Sequence, residues 1–136
     1  MIIGIGNDII SMERIKKTIG KFGFRFESRV FSDSERKLAW ERGSPCIRTY
    51  SNRWASKEAF LKALGTGISR GISWTDISVE NIKSGKPVLA ISGGAMIHLN
   101  NLIAPNSKAV LHLTISDDKP WVSALVIIEE RRALPK

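Results

Sequence analysis

The apolar residues at the start of the chain change from a continuous run to helical spacing. Residues 2–6 read Ile-Ile-Gly-Ile-Gly, an uninterrupted run that predicts a short buried strand. Asp8 follows this run and is therefore expected at the exit of the strand. Ser11 then predicts the N-cap of a helix. The apolar face of that helix consists of Met12, Ile15 and Ile19, and its end is expected at Gly20 and Gly23.

Two further helices are predicted before the middle of the chain. Ser32 and Glu35 have the spacing of a capping box, which predicts a short helix that stops at Gly43-Ser44-Pro45. The longest helical pattern covers residues 47–64, and Gly65 follows it as a candidate C-cap. At 3.6 residues per turn, one face of this helix consists of Ile47, Tyr50, Trp54, Ala55, Glu58, Leu61 and Lys62.

The pattern of the second half is typical of strands. Gly85 marks the turn of a β-hairpin, and residues 116–120 are expected to form the turn between the last two strands. The expected elements are strands at 76–82 and 87–91, a helix at 93–103, and strands at 109–115 and 121–128. The sequence therefore predicts a single α+β domain over residues 1–136, with helices packed on a mainly antiparallel sheet.

The charge of the chain is uneven. The formal net charge is +8, and residues 11–72 hold fourteen basic and six acidic residues. Between residues 14 and 29 there are six basic side chains and one acidic one. Such a surface indicates an anionic partner, which leaves nucleic acid, an acidic protein, a membrane surface or phosphate groups open. A solubilising surface without a partner is the plainer alternative.

Several classes of protein are excluded by simpler features. No apolar run reaches the roughly 20 residues of a membrane-spanning helix, and the start of the chain lacks the basic leader of a signal peptide. A cytoplasmic location is therefore expected. Cys46 is the only cysteine, which excludes an internal disulfide, and with only His98 and His112 beside it a zinc site is not expected. Any metal should be a hard cation on carboxylates.

Glu58 interrupts an otherwise apolar helical face. A buried carboxylate has to be neutral, paired or bound to a metal, because an uncompensated charge there costs several kcal/mol. An ion pair with Lys62, four residues on, or with a neighbouring arginine is one explanation. Ligation of Mg²⁺ is the other, with Asp8 as the best candidate for a second ligand. Asp8 has its own alternative as a turn or cap residue.

Two glycine pairs raise the question of nucleotide binding. Gly4-Ile-Gly6 lacks the third glycine of the dinucleotide-binding fingerprint, so its signal is weak. Gly65-Thr66-Gly67 follows a helix and has two interpretations, a helix stop or a turn whose backbone N–H groups bind an anion.

Several segments together resemble a known family. They are Gly4–Ile9, Arg29–Glu35, Arg53–Gly67, Ser73–Ile77, Gly85–Pro87 and His112–Ser116. Their order and content are similar to the holo-[acyl-carrier-protein] synthases, the small class of 4′-phosphopantetheinyl transferases. The most specific segment is Arg-Trp-Ala-Ser-Lys-Glu-Ala-Phe-Leu-Lys-Ala-Leu-Gly-Thr-Gly at 53–67.

This resemblance implies a reaction and a cofactor. The family transfers 4′-phosphopantetheine from coenzyme A to a serine of apo-acyl carrier protein in fatty acid biosynthesis, releases adenosine 3′,5′-bisphosphate and requires Mg²⁺. Members are trimers with active sites between subunits. Asp8 and Glu58 match the metal-binding carboxylates, and Lys62 is expected to contact the phosphates. Arg53, Gly65 and Thr66 match positions that contact coenzyme A. The general base stays open between Glu58, a metal-bound water and Lys62.

The resemblance also gives the basic stretch a partner. Acyl carrier proteins are acidic, and the family docks them on its first helical region. The expected docking residues are Arg14, Lys17, Lys21 and Arg25. Asp117 departs from the family pattern, because it stands where many members have a histidine near the coenzyme A phosphates.

Two other functions compete with this one. A small basic nucleic-acid-binding module would explain the charge but not Glu58, and no RNP-type or helix-turn-helix motif is recognisable, so no nucleic acid partner is expected. A carrier-binding subunit that has lost catalysis is disfavoured by the presence of Asp8, Glu58 and Lys62.

Overall fold

The fold is taken from a computed structural model that describes residues 1–43 and 45–134. Ser44, in the predicted helix stop, and Pro135 and Lys136, at the end of the predicted domain, lie outside the described residues. The elements in chain order are β1 (Ile2–Ser11), α1 (Met12–Phe22), α2 (Phe24–Val30), α3 (Asp33–Glu41), α4 (Ile47–Leu64), β2 (Ile77–Asn81), β3 (Pro87–Ile91), α5 (Gly93–Leu102), β4 (Ser107–Asp118) and β5 (Trp121–Arg132). A short 3₁₀ helix, Trp74–Asp76, precedes β2.

The strands form two antiparallel sheets. The larger sheet has the order β1-β5-β4, so the strand from the N-terminus pairs with the one from the C-terminus. The smaller sheet is the hairpin of β2 and β3. Helix α4 packs across one face of the larger sheet and forms the centre of the molecule. The predicted α+β class with antiparallel strands is confirmed.

Helix α4 is buried on almost every side. Besides its apolar residues, Thr49, Ser51 and Ser56 are buried. The hydroxyls of Ser51 and Ser56 donate to the helix carbonyls of Ile47 and Asn52, at 2.7 and 2.8 Å, so their burial leaves no unpaired donor. The buried surface of α4 is therefore wider than the single apolar face predicted from the sequence.

Strand β1 lies in unusually close contact with α4. A Cβ atom at Gly4 would overlap the carbonyl oxygen of Ala63, and one at Gly6 would overlap that of Ala59. Only glycine permits this approach, because the obstructing atoms belong to the backbone of the helix. The two glycines thus bring the following residues of β1 against the last two turns of α4.

Most predicted helix ends are confirmed. Ser11 caps α1, the Ser32–Glu35 capping box opens α3, and α4 ends at Gly65, which has a φ of 84°. Within the described residues, no helix is long and apolar enough to cross a membrane.

Several predicted boundaries are wrong. Asp8 is not at a strand exit but lies inside β1, opposite Ala124. Polar residues are tolerated there because β1 is an edge strand and Lys62 supplies a partner for Asp8. Gly20 does not break α1, since one glycine in a helix costs only about 1 kcal/mol. The last two strands extend further than predicted, and their turn consists of Lys119 and Pro120.

Candidate active site

The candidate site lies where β1 meets the C-terminal half of α4. Asp8 is on the helix-facing side of β1, the same side as Gly4 and Gly6, because side chains alternate along a strand. Lys62 Nζ donates to Asp8 Oδ1 at 3.1 Å. The Asp8 side chain is 15% exposed and that of Lys62 is 55% exposed. The structure therefore joins two of the predicted residues in an ion pair open to solvent on the lysine side.

Glu58 lies one helical turn before Lys62 and completes the cluster. It is half-buried. Burial raises the pKa of Glu58, and the nearby Asp8 carboxylate raises it further, whereas Lys62 and Arg14 oppose this effect. Lys62 pairs with Asp8 and not with Glu58, which differs from the ion pair that the spacing allowed.

The donor set of this cluster fits a hard divalent cation. Two carboxylates that repel each other gain from a positive charge between them, and carboxylate oxygens are the ligands that Mg²⁺ prefers. In the two described ranges there is no group of three or more His, Cys, Asp or Glu that would hold a metal. Asp8 and Glu58 would therefore supply two ligands, and water or substrate oxygens the others.

The turn after α4 lies next to this cluster along the chain. Gly65 and Gly67 both have positive φ angles, 84° and 62°. The Thr66 hydroxyl donates to the Gly67 carbonyl at 2.9 Å, and Ser69 donates to the Thr66 carbonyl at the same distance. The helix stop predicted here is confirmed. Because Lys62 is in the last turn of α4, its charge also offsets the negative end of the helix dipole, where phosphates are otherwise disfavoured.

A basic surface adjoins the cluster. We call Arg14, Lys17, Lys21 and Arg25 the docking face; all four side chains are exposed. Arg14 is near enough to Glu58 for its charge to lower the pKa of that carboxyl. A groove of about 270 Å³ between α1 and α2 is lined by Thr18, Phe22, Arg25, Phe26 and Arg29.

Comparison with known proteins gives the family. The model of the 4′-phosphopantetheinyl transferase superfamily matches residues 4–117, which include the carboxylate cluster and the turn after it. The chain belongs to this superfamily. The family inferred from the sequence motifs is thereby confirmed.

Close relatives of this transferase are known in sequence and in structure. A holo-[acyl-carrier-protein] synthase of Roseobacter denitrificans is 50% identical over 135 residues, which are 99% of this chain and 98% of the relative. The synthase of Bacillus anthracis, solved in complex with CoA (3′,5′-ADP), is 36% identical and has a TM-score of 0.75, covering 94% of this chain and 96% of that one. The Helicobacter pylori synthase, solved with coenzyme A, is 31% identical at a TM-score of 0.75, covering 92% and 99%.

Arg53 is not brought together with the other predicted coenzyme A residues. Its side chain is 3% exposed and donates to Asn81 Oδ1 at 3.0 Å, toward β2 rather than toward β1. Its Nε atom is buried without a hydrogen-bond partner. A contact between Arg53 and coenzyme A stays a prediction, and it would require the side chain to move.

Asp117 of the transferase has a clear partner. Arg48 Nε donates to Asp117 Oδ2 at 3.0 Å, so the carboxylate ties the end of β4 to the first turn of α4. Asp117 is an anion and therefore cannot attract a phosphate group as a protonated histidine at this position would.

The sequence analysis missed two buried polar groups beside α4. Lys57 and Glu35 are fully buried and paired at 2.7 Å. Glu27 Oε1 accepts hydrogen bonds from the Tyr50 hydroxyl, at 2.5 Å, and from Trp40 Nε1, at 3.0 Å. No local signal in the sequence identified these groups, because their partners come from α2 and α3 and not from α4.

Proposed function

We propose that this transferase moves 4′-phosphopantetheine from coenzyme A to a serine of apo-acyl carrier protein, giving holo-acyl carrier protein and adenosine 3′,5′-bisphosphate for fatty acid biosynthesis. The observation that carries the proposal is the Asp8–Lys62 pair beside Glu58, held by the close contact of β1 and α4. These residues match the family's catalytic positions. The similarity to holo-[acyl-carrier-protein] synthases, two of which were solved as coenzyme complexes, supports the same reaction.

Asp8 and Glu58 would hold Mg²⁺ in this proposal. When bound, the ion would neutralise charge on the diphosphate and orient it for attack by the serine hydroxyl. The residues of the chain prepare that arrangement. Asp8 is held inside β1 against α4, and Lys62, which is half-exposed, can turn its ammonium from Asp8 toward a phosphate oxygen.

The turn at Gly65 and Thr66 is proposed to bind the phosphates of coenzyme A. The N–H of Gly65 donates to the Leu61 carbonyl at 2.9 Å, so the N–H groups of Thr66 and Gly67 would be the donors to the ligand. The absence of a side chain at position 65 leaves room for a ligand to approach the backbone. Lys62 is three residues upstream, so the backbone N–H groups and the ammonium would act on the same diphosphate.

The docking face is proposed to bind the carrier protein. Its four cations complement an acidic partner, and Arg14 connects this surface to the carboxylate cluster through its effect on Glu58. A carrier bound there would present its serine beside the diphosphate. The attraction should mainly increase the association rate and should weaken with salt.

We also propose that residues 1–136 form one transferase domain that assembles into a homotrimer in the cytoplasm. The face of the larger sheet turned away from α4 carries exposed apolar side chains. Ile5 and Ile9 of β1 are 64% and 65% exposed, and Trp121 of β5 is 53% exposed. Exposed apolar side chains grouped on one face favour an interaction site, and neighbouring copies of the chain are the occupants we propose.

Intact mass spectrometry of the carrier protein tests the reaction. Apo-acyl carrier protein incubated with the transferase, coenzyme A and Mg²⁺ should gain the mass of one phosphopantetheinyl group, with release of an equal amount of adenosine 3′,5′-bisphosphate. No mass gain with a folded enzyme and a carrier that another synthase can modify would overturn the proposal. Binding of the carrier without transfer would instead favour a subunit that has lost catalysis.

A further inference from the structure

The buried Lys57–Glu35 pair connects several elements at one point. Lys57 Nζ lies 2.7 Å from Glu35 Oε1, and both side chains are completely buried. Lys57 also donates to the carbonyl oxygens of Val30, at 2.7 Å, and Trp74, at 3.2 Å. All three donors of the ammonium group therefore have acceptors.

The carboxylate of Glu35 is equally well satisfied. Its Oε1 atom accepts from the backbone N–H of Ser32 at 2.8 Å, and its Oε2 atom accepts from that of Val79 at 3.0 Å. The pair thus joins the end of α2, the start of α3, the middle of α4, the 3₁₀ helix and β2.

Stability alone is a weak explanation for this arrangement. The free-energy cost of removing two charges from water offsets much of the attraction between them. A protein in which apolar residues of similar volume replace a buried ion pair is often equally stable. Hydrogen bonds differ from apolar contacts in that they fix both distance and direction. A pair with every donor and acceptor used therefore determines how the joined elements are oriented.

The joined elements carry two separate parts of the proposed reaction. Helix α2 carries Arg25 of the docking face and ends at Val30. Helix α4 carries Glu58, the residue after Lys57. Besides Val30, α2 has a second polar attachment to α4 through the bond between Tyr50 and Glu27. Two attachments fix the angle of α2, whereas one would let it pivot.

We propose that Lys57 and Glu35 are positioning residues that hold the docking helices at a fixed angle to α4, so that a bound carrier protein presents its serine to the carboxylate cluster. This inference rests on the proposed function. Neither residue touches the substrates. The pair acts through the position of α2, and a displacement of about 1 Å is enough to slow transfer by up to roughly a hundredfold.

The double variant Lys57→Met/Glu35→Gln separates positioning from stability. It removes both charges of the pair and retains a side-chain oxygen at position 35. We expect it to fold with a cooperative thermal transition, while Lys57→Met alone is strongly destabilised because Glu35 loses its partner. We expect the kcat of the double variant to fall by roughly tenfold or more, with the KM values for coenzyme A and carrier within about twofold of wild type.

Three controls make the result decisive. Leu99→Ala, a core truncation in α5, shows whether lower stability alone reduces kcat. If the double variant does not fold, Glu35→Asp, which keeps both charges but shortens the side chain, is measured in its place, with the same expected fall in kcat. Wild type is assayed with the same carrier, and its failure to transfer would overturn the proposed function itself.

A folded variant with wild-type kcat would overturn the inference and leave the pair a purely structural role. A raised KM for coenzyme A at unchanged kcat would also overturn it, because the effect would then lie at the coenzyme turn.

Discussion

At the scale of single residues, the charged side chains beside α4 interact with one another in two clusters. Asp8 is mostly buried and is paired with Lys62, and burial together with the neighbouring Asp8 raises the pKa of Glu58. Such repulsion between two acids is a cost that a bound cation removes. The same helix holds Lys57 with Glu35, where every charge and hydrogen bond is already satisfied. The incomplete cluster is the one suited to binding a ligand.

Tyr50 allows a direct test of the buried polar groups, because it is the only tyrosine of the chain. Burial, and then its hydrogen bond to Glu27, raise the pKa of Tyr50 well above the usual value of 10. The unfolded chain loses this proton near pH 10 and the folded chain keeps it. The free energy of unfolding should therefore fall as the pH rises above about 10.

Ultraviolet absorbance of tyrosinate measures this group alone. We expect no tyrosinate signal near pH 10 in the folded protein, and a signal that appears together with alkaline unfolding monitored by circular dichroism. Tyr50→Phe should remove this contribution to the pH dependence. Titration of Tyr50 near pH 10 while the protein stays folded would contradict the burial of this hydroxyl.

At the scale of elements, local signals placed the ends of the predicted helices better than the ends of the strands, although helix α2 was not predicted. The ends of α4 and the capping box of α3 depend on neighbouring residues, so the sequence was sufficient to place them. The extent of β1 depends on its pairing with β5, more than a hundred residues away, and Asp8 was therefore misplaced at a strand exit. Glu58 could be predicted as a site residue, because a carboxylate in an apolar helical face must be neutral, paired or bound to a metal, and Asp8 followed as the best second ligand. The partners of Lys57 and Arg53 could not be predicted, since they come from α3 and β2.

The contact between β1 and α4 is tested by Gly6→Ala. The added Cβ would overlap the carbonyl oxygen of Ala59, a backbone atom that has little freedom to move. We expect a loss of about 1–3 kcal/mol in the free energy of unfolding, and reduced transfer because Asp8 is displaced from α4. Urea denaturation and the mass assay measure the two effects.

Gly20→Ala is the matched control for this substitution. No atom lies within 4 Å of the position of its Cβ, and Gly20 is inside α1. The same change there should stabilise the protein by about 0.5–1 kcal/mol without affecting transfer. Equal changes in the free energy of unfolding and in transfer for Gly6→Ala and Gly20→Ala would show that neither depends on the close approach of β1 to α4.

The docking face of α1 is tested by Lys17→Glu and Lys21→Glu. Both residues are exposed and share a face of the helix, so reversing their charge should raise the KM for carrier protein by roughly tenfold for the pair. The KM for coenzyme A should not change. Arg14 is left intact, because its charge also acts on Glu58.

Lys16→Glu provides the control, since Lys16 is exposed on a different side of α1. It makes the same change in net charge as either docking substitution alone and should alter the KM for carrier much less than that single substitution. A loss of coenzyme A affinity in the docking variants, or an equal effect of Lys16→Glu, would reject the docking face.

At the scale of the whole molecule, the two faces of the larger sheet have different roles. One face packs on α4 and holds Asp8, and the other exposes Ile5 and Ile9. Burying the second face between subunits would remove a large apolar area from water, at roughly 25 cal/mol per Å². This is the physical basis for the proposed trimer.

Ile9→Glu tests the assembly, because a charge in the centre of an apolar interface is costly. Sedimentation should give the mass of three chains for wild type and of one chain for the variant, with loss of transfer if the sites lie between subunits. Ile97→Glu changes an equally exposed isoleucine on α5 and should leave the assembly intact. A monomeric wild type that transfers at full rate would contradict the trimer.

The central claim is that Asp8 and Glu58 hold the metal on which transfer depends. The most direct measurement is the mass gain of apo-acyl carrier protein as a function of Mg²⁺ concentration for wild type, Asp8→Ala and Glu58→Ala, after treatment with a chelator. We expect no transfer by metal-free wild type, recovery with added Mg²⁺, and no recovery in either variant while thermal unfolding shows both to be folded. Transfer by chelator-treated wild type, or near-wild-type turnover in either variant, would contradict this claim.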